Sequence, residues 1–131
     1  MKKLKINLPF KTPSINHLHG RNNFGSVYLK TEAKILKKQI IDIVDEQKRA
    51  QGYLQHEWEN RMLSVTTIIS EKWFTKKDTI KKKDIANREK FLIDSVFESL
   101  GIDDSHIWEH RLLKHDDEKE YAVVKIEFFQ N

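Results

Sequence analysis

The run Lys83-Asp84-Ile85-Ala86-Asn87-Arg88-Glu89-Lys90-Phe91-Leu92-Ile93-Asp94-Ser95-Val96-Phe97-Glu98-Ser99-Leu100-Gly101-Ile102-Asp103-Asp104-Ser105-His106-Ile107 sets the reading of this chain. Ile93, Val96, Phe97 and Leu100 recur at helical spacing and give one apolar face. They predict a helix that starts near Asp84 or Asn87 and ends at Leu100, with Gly101 turning the chain out of it. A strand is expected from 107 to 115. Acids stand at both ends of the helix: Asp84 ahead of it, Asp103-Asp104 behind it. At ~1.5 Å per residue the helix holds Asp84 and Asp104 up to about 25 Å apart. They meet only if Asp84 sits on a returning loop and Asp104 on the adjacent strand, or if two copies of the chain bring their clusters together.

Upstream, residues 62–70 alternate and are β-branched, a strand signature. Trp73-Phe74 leads from it into the basic loop Lys76-Lys77-Asp78-Thr79-Ile80-Lys81-Lys82-Lys83. Further back, residues 31–51 form a helix with Leu36, Ile40, Ile43 and Val44 on one stripe. Thr31 is its N-cap candidate, and Gly52 stops it. Residues 3–8 alternate with Leu4, Ile6 and Leu8 on one side, a short strand that Pro9 ends. Residues 10–25 read as a loop, and 26–29 as a second short strand. Downstream, residues 120–129 give a last strand, joined to 107–115 by the polar stretch His115-Asp116-Asp117-Glu118-Lys119, which reads as a hairpin. The order β(β)αβαββ predicts an α+β fold, a small mixed sheet packed with two helices, in one domain over 1–131.

Composition narrows the function classes. The 131 residues are 38% hydrophobic and 34% charged, with seven Phe, three Trp and three Tyr, enough for a modest core and against wholesale disorder. Four Gly and two Pro exclude collagen-like or linker-like chains. No apolar run approaches the roughly 20 residues of a membrane span, and the N-terminus lacks the apolar stretch of a signal peptide. Without Cys there are no disulfides, thiolate nucleophiles or Cys-based zinc sites, and a cytoplasmic location is expected. No Gly-rich phosphate loop and no G-x-S-x-G elbow is present.

The net charge of +4 is unevenly spread. Residues 1–40 carry nine Lys/Arg and one acid, residues 71–90 eight and four, and residues 101–131 four bases and eight acids. Basic segments suit phosphates. Carboxylates among lysines suit a hard cation such as Mg²⁺ (or Mn²⁺), which activates water at a phosphodiester. The bland reading stays open: Asp84 as an N-cap, Asp103-Asp104 as a polar turn, the lysines as a solvated loop. His106 and His110 are four apart, which on a strand puts them some 13 Å apart, too far for one ion. Trp73, Trp108, Phe74 and Phe128 read as core or interface residues, with stacking on unpaired bases the alternative for Phe74.

Four motifs together resemble the RusA-type Holliday junction resolvases. Leu8-Pro9-Phe10-Lys11-Thr12-Pro13-Ser14-Ile15-Asn16-His17 resembles the LP-x-x-PPS-x-N opening of that family. Tyr28-Leu29-Lys30-Thr31-Glu32-Ala33 resembles the strand and helix start that follow. The block from Lys83 to Phe97 is similar to D-x-D-N-x-x-K-x-x-x-D-x-L, and Gly101-Ile102-Asp103-Asp104-Ser105-His106-Ile107 to G-x-x-DD-x-x-V/I. The resemblance implies a homodimeric, Mg²⁺-dependent endonuclease of a commonly prophage-encoded kind. Such enzymes bind four-way DNA junctions and cut two strands symmetrically, in recombination and repair. It implies Asp84 and Asp104 as catalytic carboxylates with Lys90 as the block lysine, and Asp84, Asp104 and Asp103 as metal ligands, with Asp94 a nearby acid. Asn16, Arg21, Lys76, Lys77, Lys81, Lys82 and Lys83 are the expected DNA contacts.

The sequence departs from the family pattern at Ala86, where the second Asp of D-x-D-N is absent. Alanine cannot ligate a cation. Three readings follow: a relocated acid, with Glu89 one helical turn on and Asp94 as candidates; a protein that binds junctions without cutting; or an alanine introduced at a natural aspartate. A protein-interaction adaptor that ignores DNA is the rival from another class.

Overall fold

A computed structural model describes residues 3–12, 19–21, 27–29, 31–82 and 85–130; for 19–21, 27–29 and 86–88 it describes the backbone alone. Strand β1 (Lys3–Leu8) is followed by β2 (His19–Arg21), β3 (Val27–Leu29) and helix α1 (Thr31–Ala50). Next come a single turn α2 (Gln55–Trp58), strand β4 (Leu63–Glu71) and helix α3 (Ala86–Leu100). A 3-10 turn (Asp104–His106) then leads into β5 (Ile107–Asp116) and β6 (Tyr121–Phe128). The fold is α+β. Its four-stranded sheet has the order β1-β6-β4-β5, and β2 pairs with β3 in a separate two-stranded ribbon.

The expected hairpin between the last two strands does not form. β5 runs parallel to β4 on one side, and β6 runs antiparallel to β4 on the other. The connection from 117 to 120 steps across the end of β4, where Asp117 N–H donates to the Glu71 carbonyl at 3.1 Å. Polar residues between two alternating runs signal a reversal, not which neighbour each run chooses. The stretch read as loop likewise contains β2, which pairs Arg21 with Val27.

Alternation decides the packing. Leu4, Ile6 and Leu8 are at most 1% exposed, while Lys3, Lys5 and Asn7 between them face solvent. The buried face meets Ile40 and Val44 of α1, Leu92, Val96 and Leu100 of α3, and Val65, Val124 and Ile126 of the sheet in one core. Trp58 seals its lower end edge-on against Phe128, with ring centroids 4.8 Å apart. Trp73 is buried, but Trp108 and Phe74 are 65% and 42% exposed, so neither belongs to the core.

Polar contacts fix the helices. Lys37 pairs with Glu98 across α1 and α3 at 2.7 Å. The Asp45 carboxylate accepts from Ser99 Oγ and lies 3.1 Å from Lys48, and together these hold it below the usual carboxylate range. Gln47 of α1 and Gln51 just past its end lie along the outer edge of β1. Gln51 bonds the N–H and C=O of Lys5 at 2.9 and 2.8 Å, and Gln47 those of Asn7 at 2.7 Å each.

The exit from α3 depends on Gly101. Its φ is +71°, and its N–H donates to Phe97 O at 3.0 Å. The Leu100 and Gly101 carbonyls accept from Tyr53 Oη at 2.7 Å and Gln55 Nε2 at 3.0 Å. Burial, then Glu59, pushes the Tyr53 hydroxyl up to about 12, so it remains a donor. A Cβ on Gly101 would lie 2.7 Å from Gln55 Oε1. Gly101→Ala is therefore expected to cost about 1–2 kcal/mol, the price of a left-handed non-glycine residue, and to lower the melting temperature by several degrees. An unchanged thermal unfolding curve would contradict this account of the turn.

Candidate active site

Parallel pairing of β4 with β5 makes β4–α3–β5 a crossover unit, with the helix returning the chain before β5 begins. This geometry folds Asp104 back beside the first half of α3. Glu89, Lys90, Ile93 and Asp94 lie on one flank of that helix, since residues four apart are neighbours on its surface. With Asp104, Ile107 and His110 they line an open pocket of about 370 Å³.

A register shift brings His110 into the group. Leu63 pairs with Ile107, but Ser64 pairs with Glu109, leaving Trp108 as the extra residue of a bulge. Strict alternation would put Ile107 and His110 on opposite faces. The bulge turns both toward α3, an example of how bulges re-aim side chains. His110 then meets Thr67 of β4, Nε2 to Oγ1, at 3.0 Å. Its Nδ1 lies 3.9 Å from Glu89 Oε1, too long for a hydrogen bond. Burial holds the imidazole below the usual His range, so this contact joins a neutral ring to a carboxyl and is not an ion pair at neutral pH.

Two carboxyls here are held out of their ordinary range. Burial, then the charges of Asp94 and Asp104, pushes Glu89 upward, opposed by Lys90. Burial and Asp104 push Asp94 upward, again against Lys90. Glu89 Oε2 is buried with no hydrogen-bond partner among the described residues. A desolvated carboxylate oxygen without a donor is costly unless something positive meets it.

The residues singled out in the sequence divide as follows. Asp104 and Lys90 line the pocket, and so do Glu89 and Asp94, the candidates for a relocated acid. Asp103 does not: its carboxylate accepts from Ser105 N–H at 2.8 Å and caps the 3-10 turn, which lowers its pKa. Asp84, Asn16 and Lys83 lie outside the described residues, and Arg21 is described in backbone only. Ala86 is the first residue of α3, one turn before Glu89. Lys76, Lys77 and Lys82 are exposed and Lys81 half-buried, on a ribbon beyond the end of β4. Sequence reading weighed His110 only as an ion ligand with His106 and set it aside, and it did not single out Thr67. A half-polar strand position gives no sign of the bulge that turns His110 inward.

The donor set suits a hard cation in kind: carboxylate oxygens, one of them buried and unpartnered, with no sulfur. Among the described residues, no three His, Asp or Glu side chains gather closely enough to hold an ion. The described carboxylates alone therefore do not make a cation site, and the acid expected first in the motif, Asp84, lies outside the described residues.

In comparison with known proteins, the family model for endodeoxyribonuclease RusA matches residues 9–127 of the 131. No curated protein matches the chain.

The upward shift of Glu89 has a stability consequence. Its folded pKa exceeds its unfolded one, so the unfolded chain gives up the proton first. Stability is lost as pH rises from the ordinary Glu range through the folded value. Glu89→Gln is therefore expected to raise the melting temperature at pH 7 in metal-free buffer, with the gain shrinking at pH 4. A gain that is the same at both pH values, or a loss at pH 7, would show that Glu89 is not held at a cost.

Proposed function

The chain belongs to the RusA endodeoxyribonuclease family, and we propose that its particular activity is Mg²⁺-dependent resolution of four-way DNA junctions in recombination and repair. The observation that carries this reading is the crowding of Glu89, Asp94 and Asp104 around one pocket with a partnerless, buried Glu89 oxygen. Glu89 takes the place of the acid that Ala86 lacks, completing the site with Asp104 and Asp84. A bound Mg²⁺ (Mn²⁺ is the natural substitute) supplies an activated water and positive charge at the scissile phosphate.

The chain's own residues do the rest. Glu89, Asp94 and Asp104 offer hard oxygens, and Lys90 offsets their mutual repulsion and faces the incoming phosphate. The His110–Thr67 pair packs the Glu89 carboxyl in place. Lys76, Lys77, Lys81, Lys82 and Lys83, with Asn16 and Arg21, hold the backbone by charge, as sequence-independent binding requires. A homodimer gives two such sites related by a two-fold axis, matching paired cuts in a four-way junction. The cytoplasm is the location that goes with this reading.

A second reading is favoured by Ala86 itself: the chain binds junctions and cuts poorly or not at all. An assay with labelled four-way DNA and Mg²⁺ separates the two. The nuclease reading expects nicks in opposed strands, abolished by Asp104→Asn and slowed roughly 100-fold by Glu89→Gln with binding retained. Binding without cutting, converted to cutting by Ala86→Asp, selects the second reading. No salt-sensitive DNA binding at all would overturn both.

A further inference from the structure

Residues 72–82 form a built ribbon. Lys81 N–H donates to Trp73 O and Thr75 N–H to Thr79 O, each at 2.8 Å. These bonds make Phe74 and Ile80 an antiparallel pair of the non-hydrogen-bonded kind, in which side chains stand closest together. At the tip, the Thr75 and Thr79 hydroxyls meet at 2.6 Å, and Asp78 takes a positive φ of 60°. The base is anchored. Trp73 is 2% exposed, its indole N–H donates to Ile69 O at 3.1 Å, and its backbone N–H donates to Asp116 Oδ1 at 2.9 Å. Lys114 lies 4.6 Å over its ring.

This anchored ribbon holds two apolar side chains in water. Phe74 is 42% exposed and Ile80 70%. Ordering exposed apolar groups at a tip gains nothing within the chain. The surroundings state the charge of what covers them: residues 72–82 carry Lys72, Lys76, Lys77, Lys81 and Lys82 against one acid, Asp78. A second copy of this ribbon would bring like charges together. A polyanion with exposed flat apolar faces answers both features. In a continuous duplex those faces are stacked and covered; at a branch point they are not.

We propose that Phe74 and Ile80 form an apolar wedge that meets unstacked bases at the branch point of junction DNA, with the surrounding lysines on the flanking phosphates. The inference rests on the junction-binding reading and adds to it the element that tells branched DNA from duplex. The lysines attract both forms; the wedge has a counterpart only in the branched one. From His110 to Asp116 is six residues of strand, about 20 Å at ~3.3 Å each. The wedge therefore acts on binding and leaves the carboxylates untouched.

The test compares four-way junction and duplex DNA in EDTA, with 2-aminopurine at the branch. For the intact protein, junction binding exceeds duplex binding and changes the 2-aminopurine fluorescence. Phe74→Ala with Ile80→Ala is expected to weaken junction binding about tenfold or more. Duplex affinity, salt dependence and melting temperature should stay unchanged, and the fluorescence change should vanish. Phe74→Tyr should keep it. Equal losses on both DNAs, no loss on either, or a change of oligomeric state with the double variant would overturn the wedge while leaving the nuclease reading standing. An intact protein that does not prefer the junction sinks that reading and the wedge with it.

Discussion

The parallel pairing of β4 with β5 is the constraint from which the rest of this molecule follows. Parallel neighbours cannot be joined by a tight turn, so the chain must leave the sheet and return along a helix. That helix is α3, and its return path sets the start of β5 beside the helix that precedes it. Asp104, far from Glu89 along the chain, lines the same pocket for this reason. The parallel ladder runs from Leu63 and Ile107 to Glu71 and Asp116, so both ends of the unit are tied, one near the acids and the other beneath the basic ribbon.

Within that frame, the acid-lined pocket is a place where the fold gives up stability. Two carboxyls are shifted upward and one oxygen has no partner, while the imidazole beside them is kept neutral. Several polar groups elsewhere are matched, Asp45 with Ser99 and Lys48, Lys37 with Glu98, Asp103 with Ser105, although the Trp58 indole N–H is also buried without a partner among the described residues. Such departures gathered at one pocket mark function more often than fold.

Much of this was legible in the sequence where the signal is local. The alternation of Leu4, Ile6 and Leu8, the stripe through Ile40 and Val44, and the face of Ile93, Val96, Phe97 and Leu100 each describe one element and its buried side. Gly101 announced a left-handed exit, and its φ of +71° is that exit. Pairing was not legible, because a strand's neighbour is chosen by the whole sheet: the run after His115 looked like the return arm of a hairpin and instead crosses over β4. Aromatic content left Trp108 between core and interface for a related reason. As the extra residue of a bulge it is exposed, which removes the core half of that reading. Of the site, the acids were visible because the motif displays them. His110 was not, since its orientation depends on that same bulge.

The glutamines along β1 carry one more consequence. A terminal strand normally presents a row of unused amides and carbonyls to any passing chain, the usual route to runaway sheet growth. Here Gln47 and Gln51 already saturate that row at Lys5 and Asn7, acting as a false strand built from side chains. An intruding segment must first evict four hydrogen bonds held at the end of a helix that is itself locked to α3. The opposite margin, β5, has no such cover among the described residues. Among the described residues the sheet is thus polarised, with one flank covered by side chains against extension and the other not.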